Sequence, residues 1–161
     1  MRIESQIVDI DGSCRDVNFP DSAMGKAIDL INYIESFSTL RSASNAEGGE
    51  LTTKEIKSLI SSSATQTISS GWECHGLISQ IQIFLNWVEI DEIFIELTFF
   101  PNDVNEKAYS LEAFKAWLKP FLVALNTDTY FVRYENVSWK YGDTSKDSGV
   151  IFTNKECELN G

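Results

Sequence analysis

Residues 80–99 read QIQIFLNWVEIDEIFIELTF. In the first half Ile81, Ile83, Leu85 and Trp87 alternate with Gln80, Gln82 and Asn86, and in the second half Ile93, Ile95, Leu97 and Phe99 alternate in the same way. A period of two is that of a strand with one face toward a core. Glu89 to Glu92 separate the two runs, which predicts an antiparallel hairpin with an acidic tip, one face buried and the other partly solvated. Pro101 and Asn102 close the second strand. A parallel, doubly wound sheet is disfavoured, because its strands would be nearly continuous apolar runs separated by helices.

Beyond the hairpin, Ser110 is placed to cap a helix whose apolar set, Leu111, Phe114, Trp117, Leu118, Phe121, Leu122 and Leu125, keeps a 3.6-residue period, with a kink expected at Pro120. Tyr130, Val132 and Tyr134, then Val137, Trp139 and Tyr141, alternate on opposite parities around Asn136, as a bulged strand does. Val150 to Thr153 supplies a last strand.

On the N-terminal side, Ser61 to Gly71 is polar and reads as irregular, and Thr52 with Glu55 forms a capping box for a short helix carrying Ile56, Leu59 and Ile60. Residues 42–50, with adjacent Gly48 and Gly49, read as a flexible loop. Asp21 or Ser22 is the expected cap of a helix with Met24, Ala27, Ile28, Ile31, Ile34 and Phe37 on one face. Arg15 to Phe19 is an extended candidate ended by Pro20, and Arg2 to Asp11 reads as an irregular strand or hairpin. The sum is one α+β domain over residues 1–161, an antiparallel sheet with two to three helices packed mainly on one face.

The chain has 161 residues, 43% of them apolar and 12% aromatic, so it buries a substantial core and is neither disordered nor a coiled coil. Against 13 Lys and Arg stand 24 Asp and Glu, a net charge of -11. Such a field repels phosphates and anionic lipid, so nucleic acid and membranes are not expected partners and basic macromolecules are. Three cysteines, Cys14, Cys74 and Cys157, are an odd number lying far apart, which fits a reducing cytoplasm rather than a disulfide framework. Glu4, Asp9, Asp11 and Asp16 interrupt the first twenty residues where a signal peptide needs an apolar run. The most apolar window, Ile78 to Phe100, is broken by Asn86, Glu89, Asp91, Glu92 and Glu96, so no membrane span is expected.

Catalytic signals are sparse. The single histidine, His75, neighbours Cys74, but no further ligand stands at zinc spacing, so no metal or other cofactor is expected, and as a nucleophile and base the pair would point to opposite strand faces with no helper carboxylate assigned. Aromatics near bases, at Tyr130 to Tyr134 and Trp139 to Tyr141, are interleaved with Glu135 and Asp143 and read as cross-strand pairs. The run Asp9-Ile10-Asp11-Gly12-Ser13 resembles the first motif of haloacid-dehalogenase-like phosphatases. Ser69 or Ser70 before Gly71, Lys119-Pro120, and Gly142-Asp143 with Asp147 fall in that family's order. The resemblance implies Asp9 as phosphoryl acceptor and Asp11 as acid/base, with magnesium.

The acidity concentrates at Glu89, Asp91 and Glu92 on the hairpin tip, with Trp87 nearby, and again at Asp103 and Glu106 beyond the far end of the second strand, two patches a strand length apart. These are the expected partner-binding residues, with Trp87 as an anchor. The small, acidic, motif-poor chain, with a strand–helix–strand–strand order over Phe84 to Phe152, resembles the immunity proteins of bacterial polymorphic toxin systems, including contact-dependent growth inhibition. That resemblance implies a non-enzymatic inhibitor that binds the C-terminal toxin domain of a sibling strain, commonly a basic nuclease, and occludes its active or substrate-binding site. The alternatives are a phage-type acidic mimic of nucleic acid and the phosphatase using Asp9 and Asp11.

Overall fold

The computed structural model describes residues 2–20, 22–62, 65–89, 92–135 and 149–155. Its strands are β1 (Arg15–Asn18), β2 (Ser38–Asn45), β3 (Gln66–Cys74), β4 (Gln80–Glu89), β5 (Glu92–Phe99), β6 (Phe131–Tyr134) and β7 (Val150–Thr153). They form one seven-stranded sheet in the order β2-β3-β4-β5-β1-β6-β7, antiparallel at every junction. The α-helices are α1 (Ile3–Val8), α2 (Ala27–Phe37), α3 (Thr53–Ser61) and α4 (Leu111–Leu125). The α+β class read from the sequence is the one observed. No helix among the described residues is long and apolar enough to cross a membrane.

The hairpin is the centre of the sheet. Ile83 stands opposite Leu97 and Leu85 opposite Ile95, all four side chains at most 1% exposed, and the same parity continues into β1 at Val17 and into β6 at Val132. This apolar face is covered by α4, where Phe114 meets Phe99 of β5 and Phe152 of β7, and by α2, whose Tyr33 and Phe37 pack edge-on against Phe121. The α4 signals act as the sequence suggests. Ser110 Oγ accepts from the Ala113 N–H at 3.0 Å, and Asn126, at φ 52, closes the helix in the left-handed conformation that a short polar side chain tolerates. The capping box of α3 is present in both directions between Thr52 and Glu55.

Four expectations are corrected. Residues 3–8 are helical, not a strand or hairpin: Ile3 and Ile7 are one helical turn apart, and the short helix is held by Arg15, whose guanidinium donates to the carbonyls of Gln6 and Asp9 at 2.9 Å each. The stretch expected as a loop from Ser42 is strand as far as Asn45, since β3 pairs it and only Ala43 of residues 42–45 must be buried. The turn follows, with Asn45 Oδ1 accepting from the N–H groups of Glu47 and Gly49 and Gly48 at φ +82. From Gln66 onward the supposedly irregular segment is β3, in which Ile68, Ser70, Trp72 and Cys74 face the core. Ser70 escapes an unpaired burial by accepting from Trp72 Nε1 at 2.9 Å and donating to the Ile83 carbonyl at 3.3 Å. Finally, Ser22 does not cap α2; its hydroxyl donates to the Phe19 carbonyl, and a short 3-10 turn at Met24–Lys26 leads into the helix. Asp21 and the expected bulge around Asn136 lie outside the described residues.

Candidate functional site

The second face of the sheet is open over β2 to β5. Register places one row across it as Ser42, Gly71, Gln82, Thr98, Asp16 and Arg133, and the next as Ser44, Ser69, Phe84, Glu96, Asn18 and Phe131. Small residues on β2 and β3 leave a hollow of about 560 Å³, bordered by Ser44, Ser69, Phe84, Glu96 and the loop at Gly48 and Glu50. A second hollow of about 310 Å³ adjoins it along Gln82 and Thr98, with Arg41, Phe100 and Asp103 at its rim. The dimensions suit a side chain or small ligand group. Phe84 and Phe94 meet edge-on at 6.0 Å on this outward parity.

At β1 and β6 the same side of the sheet is closed, and a charge cluster lies there. Arg133 Nη2 is 2.8 Å from Glu96 Oε2 and 3.3 Å from Asp16 Oδ2. Asn18 joins both charges, accepting from Arg133 Nε at 2.9 Å and donating to Glu96 Oε2 at 3.0 Å, while Thr98 donates to Asp16 Oδ1 at 2.7 Å. Burial, then the nearby Glu96 charge, pushes the Asp16 carboxyl above its ordinary range, against the opposing pull of Thr98 and Arg133. The arrangement holds Glu96 rigidly at the edge of the larger hollow. One guanidinium faces two carboxylates.

The sequence-predicted residues are distributed unevenly over this surface. Trp87 is 2% exposed on the covered face opposite Ile93, so it is a core residue and not a surface anchor. Glu92 is exposed and shares its strand parity with Phe94, Glu96 and Thr98, which puts it on the open face. The backbone of Glu89 pairs with Glu92, while the Glu89 side chain and Asp91 lie outside the described residues. Asp103 is half-buried at the rim of the smaller hollow, and Glu106 is exposed in the turn beyond it. Glu92 and Asp103 therefore stand toward opposite ends of β5, a strand length apart. Missed altogether were Asp16, Asn18, Thr98, Glu96 and Arg133 as a cluster. The legible signal was Phe84 and Phe94 standing at positions otherwise occupied by Gln, Asn, Glu and Thr.

Among the described residues the phosphatase constellation does not assemble. Asp11 is fixed in the turn before β1, accepting from the Ser13 hydroxyl at 2.7 Å and the Ser13 N–H at 2.9 Å, with Arg15 at 3.3 Å. A helix precedes it where the family needs a hydrophobic parallel strand, Ser69 to Gly71 lie within β3, and Lys119 lies within α4. Asp143 and Asp147 lie outside the described residues. Burial pushes the Cys74 thiol up to about 11, a protonated core group beside His75 and not a nucleophile.

No protein-family model matches the chain, and no curated protein matches it in sequence. Among solved structures, its fold is similar to that of a chain in the 1.75 Å crystal structure of the toxic C-terminal tip of CdiA from Pseudomonas aeruginosa in complex with immune protein. The match has a TM-score of 0.61 and 15% identity, covering 88% of this chain and 94% of that one. The likeness is one of fold.

Proposed function

We propose that this chain is an immunity protein of contact-dependent growth inhibition, which binds the C-terminal domain of a toxin and neutralises it stoichiometrically by covering its active or substrate-binding surface. The observation that carries the reading is the fold likeness, nearly coextensive with both chains, to a component of a toxin–immune protein complex. Net charge of -11 favours the immune over the toxic role and favours a basic partner such as a nuclease, because opposite fields speed encounter. Inhibition of this kind needs no reacting group in the inhibitor, which suits an open face of Ser, Gln, Phe and Glu. A mimic of nucleic acid is the weaker reading, since the carboxylates of that face alternate with Phe94 and Thr98 along β5 rather than forming an unbroken anionic track.

Co-expression tests the proposal. The chain is produced in cells together with the CdiA-type toxic tip encoded beside its gene. Restored growth and a 1:1 complex on gel filtration are expected. Growth arrest caused by the chain alone assigns it instead to the toxic partner, and a failure to rescue growth or to associate removes the immunity role.

A further inference from the structure

We propose that the open face between β2 and β5 is the surface on which the toxin docks, and that the larger hollow receives an arginine side chain from a basic segment of that partner; this rests on the immunity reading above. Charge complementarity selects the occupant. Glu50 and Glu96 border the hollow and Glu73 and Glu92 lie on the same face, four carboxylates against Arg41 at the adjoining rim.

Glu96 is built to receive a cation. Its Oε2 accepts from Arg133 and Asn18, and its Oε1 makes no hydrogen bond among the described residues. The side chain is only 20% exposed, and the bonds from Arg133 and Asn18 hold it in one place. A guanidinium carries five donors in a plane and a face that stacks on aromatic rings. The hollow offers carboxylates at Glu96 and Glu50, hydroxyls at Ser44 and Ser69, and the ring of Phe84. An ammonium lacks the planar face. The apolar pair of Phe84 and Phe94 then gives the flanking partner segment a surface to dehydrate.

The experiment uses a blocked Gly-Arg-Gly peptide as probe, with its citrulline counterpart and spermidine as controls, followed by amide chemical shifts of the full chain. Saturable shifts at Ser44, Ser69, Phe84 and Glu96 with the arginine peptide are expected, with about tenfold weaker binding of the citrulline peptide. Glu96→Gln weakens the arginine response, and Ser69→Trp, which fills the hollow away from the Arg133 cluster, abolishes it while the thermal midpoint is kept. An equal response to citrulline or spermidine, or undiminished binding by Ser69→Trp, overturns the proposal. The complex separates the two claims: a toxin bound equally well by Ser69→Trp and the unaltered chain sinks the docking site and leaves the immunity role standing. A chain that seats the peptide but never protects cells does the reverse.

Discussion

Asp16 and Arg133 stand opposite each other in the β1–β6 register and meet at 3.3 Å, each 5% exposed. A buried ion pair is weak evidence of net stabilisation, but removing one partner strands the other's charge in a low dielectric. Arg133→Met should cost about 3–5 kcal/mol in urea unfolding, because it leaves both Asp16 and Glu96 without their guanidinium. Adding Asp16→Asn to that variant should recover part of the loss. A single-variant cost below about 1 kcal/mol would show that the two carboxylates reach water without Arg133.

Stability should depend on acid pH through two aspartates of opposite sign. Asp16 holds its proton more firmly in the folded chain, so its contribution is fully present below the unfolded value of 3.8 and is lost as pH rises through the higher folded value. Asp11 is held down to about 2 by the Ser13 hydroxyl and N–H, with help from Arg15, so its contribution is present above 3.8 and lost as pH falls toward 2. Thermal midpoints of Asp16→Asn should flatten the first interval and those of Asp11→Asn the second. Parallel curves for all three proteins contradict the assignment.

Trp87 belongs to the core, so its substitutions should separate stability from binding. Trp87→Ala should cost about 3–5 kcal/mol of unfolding free energy, the usual range for an excised core aromatic. Trp87→Phe should be milder and leave toxin affinity unchanged. A loss of affinity in a folded Trp87→Phe protein would put the indole at the interface after all.

Burial pushes the Cys14 thiol up to about 12 and the Cys74 thiol up to about 11, which suppresses the thiolate that reacts with disulfide reagents. Both residues should resist Ellman's reagent in the native protein and react promptly in urea, as mapped by mass spectrometry. Prompt native labelling at Cys74 would mean that the β3 end opens locally.

Charge reversal at Asp91 and Glu92 should slow association with the toxin and flatten the dependence of that rate on salt, with a smaller effect on release. Stopped-flow mixing at low and high salt provides the readout. Identical rates at both would remove the tip from the approach path.

The hairpin, α4 and the α3 capping box were legible because each rests on local spacing: alternation over Ile81 to Phe99, a 3.6 period from Leu111 to Leu125, and the Thr52–Glu55 pair. The helix over residues 3–8 was not, since its backbone is secured by Arg15 from outside the helix. Strand β2 was hidden by composition: Ser, Ala and Asn mark a loop unless a neighbour supplies the pairing, which β3 does. The charge cluster was invisible for a related reason. Asp16, Glu96 and Arg133 come from three strands far apart in sequence, and only the register brings both carboxylates within 3.3 Å of the guanidinium. Trp87 was misplaced because its proximity in sequence to the acidic tip says nothing about which side of the strand it occupies.

The position of β1 between β5 and β6 sets an order on synthesis. Asn18 reaches Glu96 across 78 residues of chain and Arg133 across 115, so a strand made almost first waits for neighbours made much later. Folding dominated by such distant pairings is slow, on the order of milliseconds to seconds. On a translating ribosome, strands β2 to β5 can assemble while Asp16 still lacks its cation. A nascent chain halted before Arg133 therefore presents β1 as an edge whose Asp16 carboxylate has the Thr98 hydroxyl but no guanidinium beside it.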